Sequence, residues 1–239
     1  MVDTPGEGLM KTIYKSSFDE GFYDYQGEGE LTCPTGWTPK WVQGPGGGVL
    51  HRPEFDAKNK ELGQPEVRTG QYAANFFTVF ATHDGCLYRK FKVEKGSYIR
   101  ASIYCMNVSN SSAGHNGGHG MRIGIDPAGG EDHTAQTVEY GEWWSSYMPE
   151  WREREWHKVE VEAVAQADEI TVFLHAKADY AADINASHWD DFRLESAASV
   201  PATELANLPQ VGDFPTLEQI EEVVRKVFRE EVARARGNK

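Results

Sequence analysis

The sequence predicts an all-β protein, a jelly-roll β-sandwich followed by a C-terminal amphipathic helix, and three observations carry that expectation. Short runs of alternating or β-rich residues recur along most of the chain. Turn chemistry separates these runs, with no helical pattern between them, as in sandwiches of antiparallel sheets rather than βαβ units. The composition agrees, since 39% hydrophobic residues, 12% aromatics and 24 glycines suit a turn-rich β domain better than a helical bundle or a disordered chain.

In chain order, residues 1–12 read as a flexible lead, with Pro5, Gly6 and Gly8 beside little that can pack. The sandwich is expected over 13–196. Its strand patterns lie at 76–80, 87–93, 98–106, 121–125, 156–163, 169–176 and 188–194. The turns between them are read at His83-Asp84-Gly85, Glu94-Lys95-Gly96, Asp126-Pro127-Ala128-Gly129-Gly130 and Ala167-Asp168. Polar insertions at 44–70, 108–120 and 132–155 are longer than hairpins need and are expected at the ends or rim of the sandwich. Residues 197–215, rich in Ala, Ser and Pro, read as a linker. The tail, 216–239, opens on a capping box, Thr216 to Gln219. Leu217, Ile220, Val223, Val224, Val227, Phe228 and Val232 gather on one side of a helical wheel there, a face that must be covered by the sandwich or by another protein subunit.

A formal net charge of −13 repels phosphate backbones and anionic membrane surfaces, which argues against nucleic acid as a partner. No run approaches the roughly 20 apolar residues of a membrane span. The N-terminus lacks the basic start and apolar stretch of a secretory signal, so the expected location, extracellular or on a virion, implies another export route, a processed form, or carriage on a particle. Cys33, Cys86 and Cys105 form no CxxC pair and read as small buried hydrophobes, with a single disulfide left open.

Six stretches resemble one family in the right order. Ser17-Phe18-Asp19-Glu20-Gly21 is similar to its opening strand, Pro34-Thr35-Gly36-Trp37 to the Gly-Trp segment after it, and Thr69-Gly70-Gln71-Tyr72-Ala73 to the entry of the next strand. Residues 87–104, with Lys95-Gly96-Ser97-Tyr98 inside, resemble its paired strands, 156–174 its Trp-to-Leu pair, and Trp189-Asp190-Asp191-Phe192-Arg193-Leu194 its terminal strand. Together they resemble the carbohydrate-binding modules of the galactose-binding-like jelly-roll superfamily over about residues 13–196. The resemblance implies a glycan or cell-surface polysaccharide as partner, and a structural Ca2+ held by Asp19, Asp190 and Asp191, with further oxygens completing the shell.

The aromatic segment at 143–151 is the candidate glycan site. Planar rings stack on the apolar face of a pyranose while neighbouring polar groups bond its hydroxyls, so Trp143, Trp144, Tyr147 and Trp151 are its expected ligand-binding residues. The competing reading is that this loop packs back on the sandwich edge. His115 and His119 lie in a glycine-rich stretch and read as a solvated loop rather than a metal site. The acids Glu131, Asp132, Glu139, Glu142 and Glu150 are numerous, but no G-x-S-x-G, H-E-x-x-H, phosphate loop or Cys/His signature is present, so an enzyme is not expected. Two functions stand open: a non-catalytic glycan-recognition module, and a structural or decoration protein of a larger assembly such as a phage virion, anchored through its helix.

Overall fold

Alternation turns one set of side chains of each strand towards the core, while neighbouring strands satisfy its backbone hydrogen bonds. The computed structural model describes residues 10–44, 50–110, 118–145 and 155–197, which lie within one compact unit, Met10–Ser199. Its strands are β1 (Lys11–Ser16), β2 (Phe22–Asp24), β3 (Thr32–Pro34), β4 (Thr38–Trp41), β5 (Glu54–Asn59), β6 (Tyr72–Thr78) and β7 (His83–Lys92). They continue with β8 (Tyr98–Asn110), β9 (His119–Asp126), β10 (Glu139–Tyr140), β11 (Trp144–Ser145), β12 (His157–Val164), β13 (Glu169–Ala178) and β14 (Ile184–Ala197). Sheet I runs β12-β8-β14-β6-β5, with β1 also on β14. Sheet II runs β10-β9-β13-β7-β4, with β11 also on β9. The ladders are antiparallel, and from β6 to β9 successive strands alternate between the sheets, as do β12, β13 and β14. The all-β sandwich is as expected.

The inner faces meet in one core. Leu87 and Phe91 of β7, Ile123 and Ile125 of β9, and Val172 and Leu174 of β13 face Ile99 and Ile103 of β8, Val159 and Val161 of β12, and Trp189 and Leu194 of β14. Trp37 closes one end of this core, edge-on to Phe192 at 5.1 Å, and Phe192 in turn stacks on Phe91 at 5.7 Å. Each such fully buried aromatic or aliphatic side chain contributes about 1.5–3 kcal/mol of transfer free energy.

Strand β14 pairs with β8 along its length but changes partner on its other side, from β6 at 185–189 to β1 at 192–196. The change falls on a register shift between Asp190 and Arg193, where Asp191 takes a positive φ of 54°. Aspartate is among the few residues that tolerate this conformation.

Several sequence expectations change. His83-Asp84-Gly85 is not a turn but the start of β7, because Gly85 and Asp84 pair with Ala176 and Lys177 of β13. The strand read at 76–80 ends at Thr78, and Phe80 sits in a turn with φ of 49°. The 44–70 insertion contains an edge strand, β5, paired with β6. Cys33, Cys86 and Cys105 are all buried and free. His119 is not in a solvated loop: it lies on β9, fully buried, its Nδ1 2.8 Å from Asn107 Oδ1 and its ring edge-on to His83. His115, Tyr147, Glu150, Trp151, most of the N-terminal lead, the linker beyond Ala197 and the C-terminal helix lie outside the described residues. Among the described residues, no helix is long and apolar enough to cross a membrane.

Candidate functional site

The site is built on the outer face of sheet II. Alternation on β9 buries Met121, Ile123 and Ile125 and turns Gly120, Arg122, Gly124 and Asp126 the other way. The described part of the 132–155 insertion does not stay at the rim. Asp126 folds the chain back by accepting from the Ala128 amide and the Thr137 hydroxyl, both at 2.8 Å, and β10 and β11 then pair with β9. The Tyr140 hydroxyl ties the loop down by donating to the His133 carbonyl at 2.6 Å.

Two glycines make this covering possible. A Cβ at Gly124 would stand 2.4 Å from the Tyr140 ring, and one at Gly120 would stand 2.7 Å from the Trp143 ring. Each ring therefore lies directly on bare backbone. Arg122, between the two glycines, places its guanidinium carbon 3.5 Å from the Tyr140 ring centroid and 4.0 Å from that of Trp143. Attraction to each ring face is worth about 0.5–2 kcal/mol, depending on solvation. Trp143 keeps 40% of its surface exposed.

Arg122 is also held from below. Its cross-strand partner on β13 is His175, whose Nδ1 accepts from Arg122 Nε at 3.1 Å. An arginine only donates, so this bond fixes the His175 tautomer with its proton on Nε2. That Nε2 donates to Asp84 Oδ1 at 2.9 Å, and His133 Nε2 donates to the same oxygen at 3.1 Å. His133 and His175 are buried, their rings 5.0 Å apart. Burial lowers the His175 pKa to about 4, with Asp84 opposing the shift. Burial pushes the Asp84 carboxyl upward, but the bonds from His133 and His175 outweigh it and hold it well below the usual carboxylate range. At neutral pH the unit is thus an ionised carboxylate gripped by two imidazoles, with His175 neutral and relaying the orientation of Asp84 to Arg122. Burial also lowers the Arg122 pKa, against the fields of Tyr140 and Asp84.

Asp84, His133 and His175 are, among the described residues, the group whose metal-ligating atoms lie within 4.8 Å of one another. A metal on His175 Nε2 would move its proton to Nδ1, directly against the Arg122 Nε–H. As arranged, the cluster is a hydrogen-bonded support.

The three acids expected to hold calcium do gather about the segment leading into β6, yet their oxygens serve the chain itself. Asp190 accepts the amides of Arg68 and Thr69, each at 2.9 Å, and of Asp191 at 2.7 Å. Asp19 accepts those of Gln71 and Tyr72 at 2.8 and 3.0 Å. Asp191 pairs with the Arg68 guanidinium and the Thr69 hydroxyl. A calcium ion takes six to eight oxygens, and here N–H groups, a guanidinium and a hydroxyl already bonded to these carboxylates compete for the same lone pairs.

Of the four aromatic residues expected to bind ligand, Trp143 lies on this face. Trp144 turns the other way, opposite Met121, and stacks on His157 at 5.4 Å while packing against the core. Tyr147 and Trp151 lie outside the described residues. Sequence reasoning missed Arg122, Tyr140, Asp84, His133 and His175. The available signal was Gly120-Met121-Arg122-Ile123-Gly124, where glycines two residues either side of an arginine on one strand face announce rings lying over it.

No protein-family description and no curated protein matches this chain. Similar solved structures include a CBM61 carbohydrate-binding module in complex with β-1,4-galactotriose, at 13% identity and a TM-score of 0.44, over 67% of this chain and 88% of that one. The CBM22-1 xylan-binding domain from Paenibacillus barcinonensis is similar at 14% identity and a TM-score of 0.46, over 80% and 97% of the two chains. The K1 cleaved adhesin domain of Lys-gingipain from Porphyromonas gingivalis is similar at 14% identity and a TM-score of 0.45, over 80% and 99%. The solved structures this chain is similar to thus include carbohydrate-binding modules of the β-sandwich kind, the group its six sequence stretches resemble.

Proposed function

We propose that the protein is a non-catalytic recognition module that binds a glycan on the outer face of sheet II, acting outside the cell or on a virion. The observation that carries this reading is Trp143, a partly exposed indole packed against Gly120 beside a hydrogen-bonded set of polar groups. A pyranose stacks on such a ring through its C–H face, and the support beneath the ring limits the side-chain entropy lost on binding. Trp143→Ala is expected to abolish retention on a polysaccharide array while leaving the melting temperature within a few degrees of the parent, since the ring lies outside the sandwich core. Wild-type protein that binds nothing on a broad array would refute the reading.

A second reading, a structural or decoration protein of a larger assembly, is favoured by a different feature. Val79, Phe80 and Tyr180 are exposed at 50%, 70% and 54%, and an amide of one of their loops meets the other loop, Phe80 N–H donating to Ala182. Apolar side chains gathered at one end of a sandwich suit a protein interface. Purification of the native protein as part of a particle, with incorporation abolished in a Phe80→Ser, Tyr180→Ser double variant, would establish this role in place of the first.

A further inference from the structure

Arg122 is a cation that the fold positions on the outer face of sheet II. Two aromatic rings sandwich its guanidinium, and its Nε is committed to His175. Its terminal amino groups pair with no carboxylate among the described residues, and Asp84, whose field it feels, is taken by His133 and His175. Arg122 offsets part of the hydration it gives up through Tyr140 and the Asp84 carboxylate, which favour its charged form, and would offset the rest through an anion on its terminal amino groups. The planar fork it presents matches the two oxygens of a carboxylate. The neighbouring group within reach of the same ligand is the exposed ring of Trp143, a surface on which the C–H face of a pyranose can stack.

We propose that the ligand of this face is a saccharide bearing a uronic acid, whose carboxylate is received by the terminal amino groups of Arg122 while its pyranose ring lies on Trp143. This rests on the glycan-binding reading and narrows it to a substrate class. The charge of the whole molecule narrows it again. A body of net charge −13 repels a densely charged polyanion beyond the roughly 8 Å over which physiological salt screens. A chain with carboxylates set apart along a neutral backbone meets Arg122 locally without that opposition. Asp84, His133 and His175 then act as positioning residues for the arginine.

The test uses the full chain on an array carrying glucuronoxylan, alginate and polygalacturonate, each beside its carboxyl-reduced form, which keeps the linkage and removes the charge. Glucuronoxylan is expected to bind best of the three, and its reduced form at least about tenfold more weakly, the loss of one charge-assisted hydrogen bond or more. Arg122→Met, which keeps an unbranched stem between the rings, is expected to bind both forms equally, and Arg122→Lys to retain part of the preference as a point charge. Thermal melts of both variants show whether the domain is folded. Equal binding of native and reduced glycans by the wild type, or binding to none of the six, would overturn the uronate inference, whereas the glycan-binding reading itself falls only if the protein also binds nothing on a broad array of neutral glycans. That comparison needs no variant, so it decides the matter even if Arg122→Met unfolds.

Discussion

Single residues carry both the site and some of the strain in this molecule. His83 is fully buried, its Nδ1 2.9 Å from the Thr78 hydroxyl, and burial lowers its pKa to about 3, as it lowers that of His175 to about 4. Unfolded, both titrate near 6.5. Between these values the unfolded chain binds protons that the folded chain refuses. Their contribution to stability is therefore complete above about pH 6.5 and is lost as the pH falls through about 4 and then 3. Asp190, whose pKa burial raises to about 7, acts in the opposite sense over the same window, but it is one group against these two, so urea midpoints are still expected to fall from pH 7 to pH 4.5; a flat or rising profile would mean that the imidazoles are not excluded from water. Phe80 offers an opposite case, a large side chain exposed at 70% in the left-handed region at φ of 49°. Such a conformation costs roughly 1–2 kcal/mol for a side-chain-bearing residue. Phe80→Gly is expected to raise the melting temperature by a few degrees, net of the added flexibility of glycine in the unfolded chain. A fall instead would show that the ring is packed against something.

At the scale of elements, the bulge in β14 lets one strand serve two neighbours, and Asp190 holds it together. Its side chain is fully buried, and burial raises its pKa to about 7 against three backbone N–H donors. Asp190→Ala would leave those three amides without an acceptor, at about 1–3 kcal/mol each where they stay buried. A loss of about 3 kcal/mol or more in denaturant unfolding is expected. Because these oxygens are already spent within the chain, millimolar calcium or a chelator is expected to leave the melting temperature unchanged. A clear fall on chelation, absent in Asp191→Ala, would reinstate calcium at this place and require Arg68 to move aside. The strands themselves were mostly legible: runs at 87–93, 98–106, 121–125 and 169–176 each lie within or on an observed strand, because a half-buried strand writes its alternation into the sequence. β10 and β11, of two residues each, have no length over which to alternate, and their pairing with β9 is a property of the fold.

At the scale of the whole molecule, the sandwich buries a continuous core between its own two sheets. A version ending at Ala197 is therefore expected to fold and melt cooperatively while losing any self-association or particle binding contributed by 216–239. Aggregation of the shortened chain, or a drop of more than about 10 °C in its melting temperature, would show instead that the segment 216–239 completes the core. A helix of about 20 residues, as the sequence leads one to expect over 216–239, would be marginal alone in water, so its apolar face would need a partner, within the chain or outside it.

Composition, periodicity and turn residues were enough to determine an all-β sandwich and to mark three cysteines as small buried hydrophobes, because each of these depends on short-range pattern or on burial averaged over the chain. The tertiary structure alone decided that His83-Asp84-Gly85 begins a strand, that Trp144 faces inward while Trp143 faces outward, and that the chain after Asp126 lies across a sheet. It alone joined Asp84, Arg122, His133, Tyr140 and His175, whose positions span more than 90 residues, as between Asp84 and His175. Local sequence cannot encode such a meeting. Whether an aspartate bends a turn or grips two histidines depends on which strand is hydrogen-bonded beside it, and that is settled only when the sheet forms.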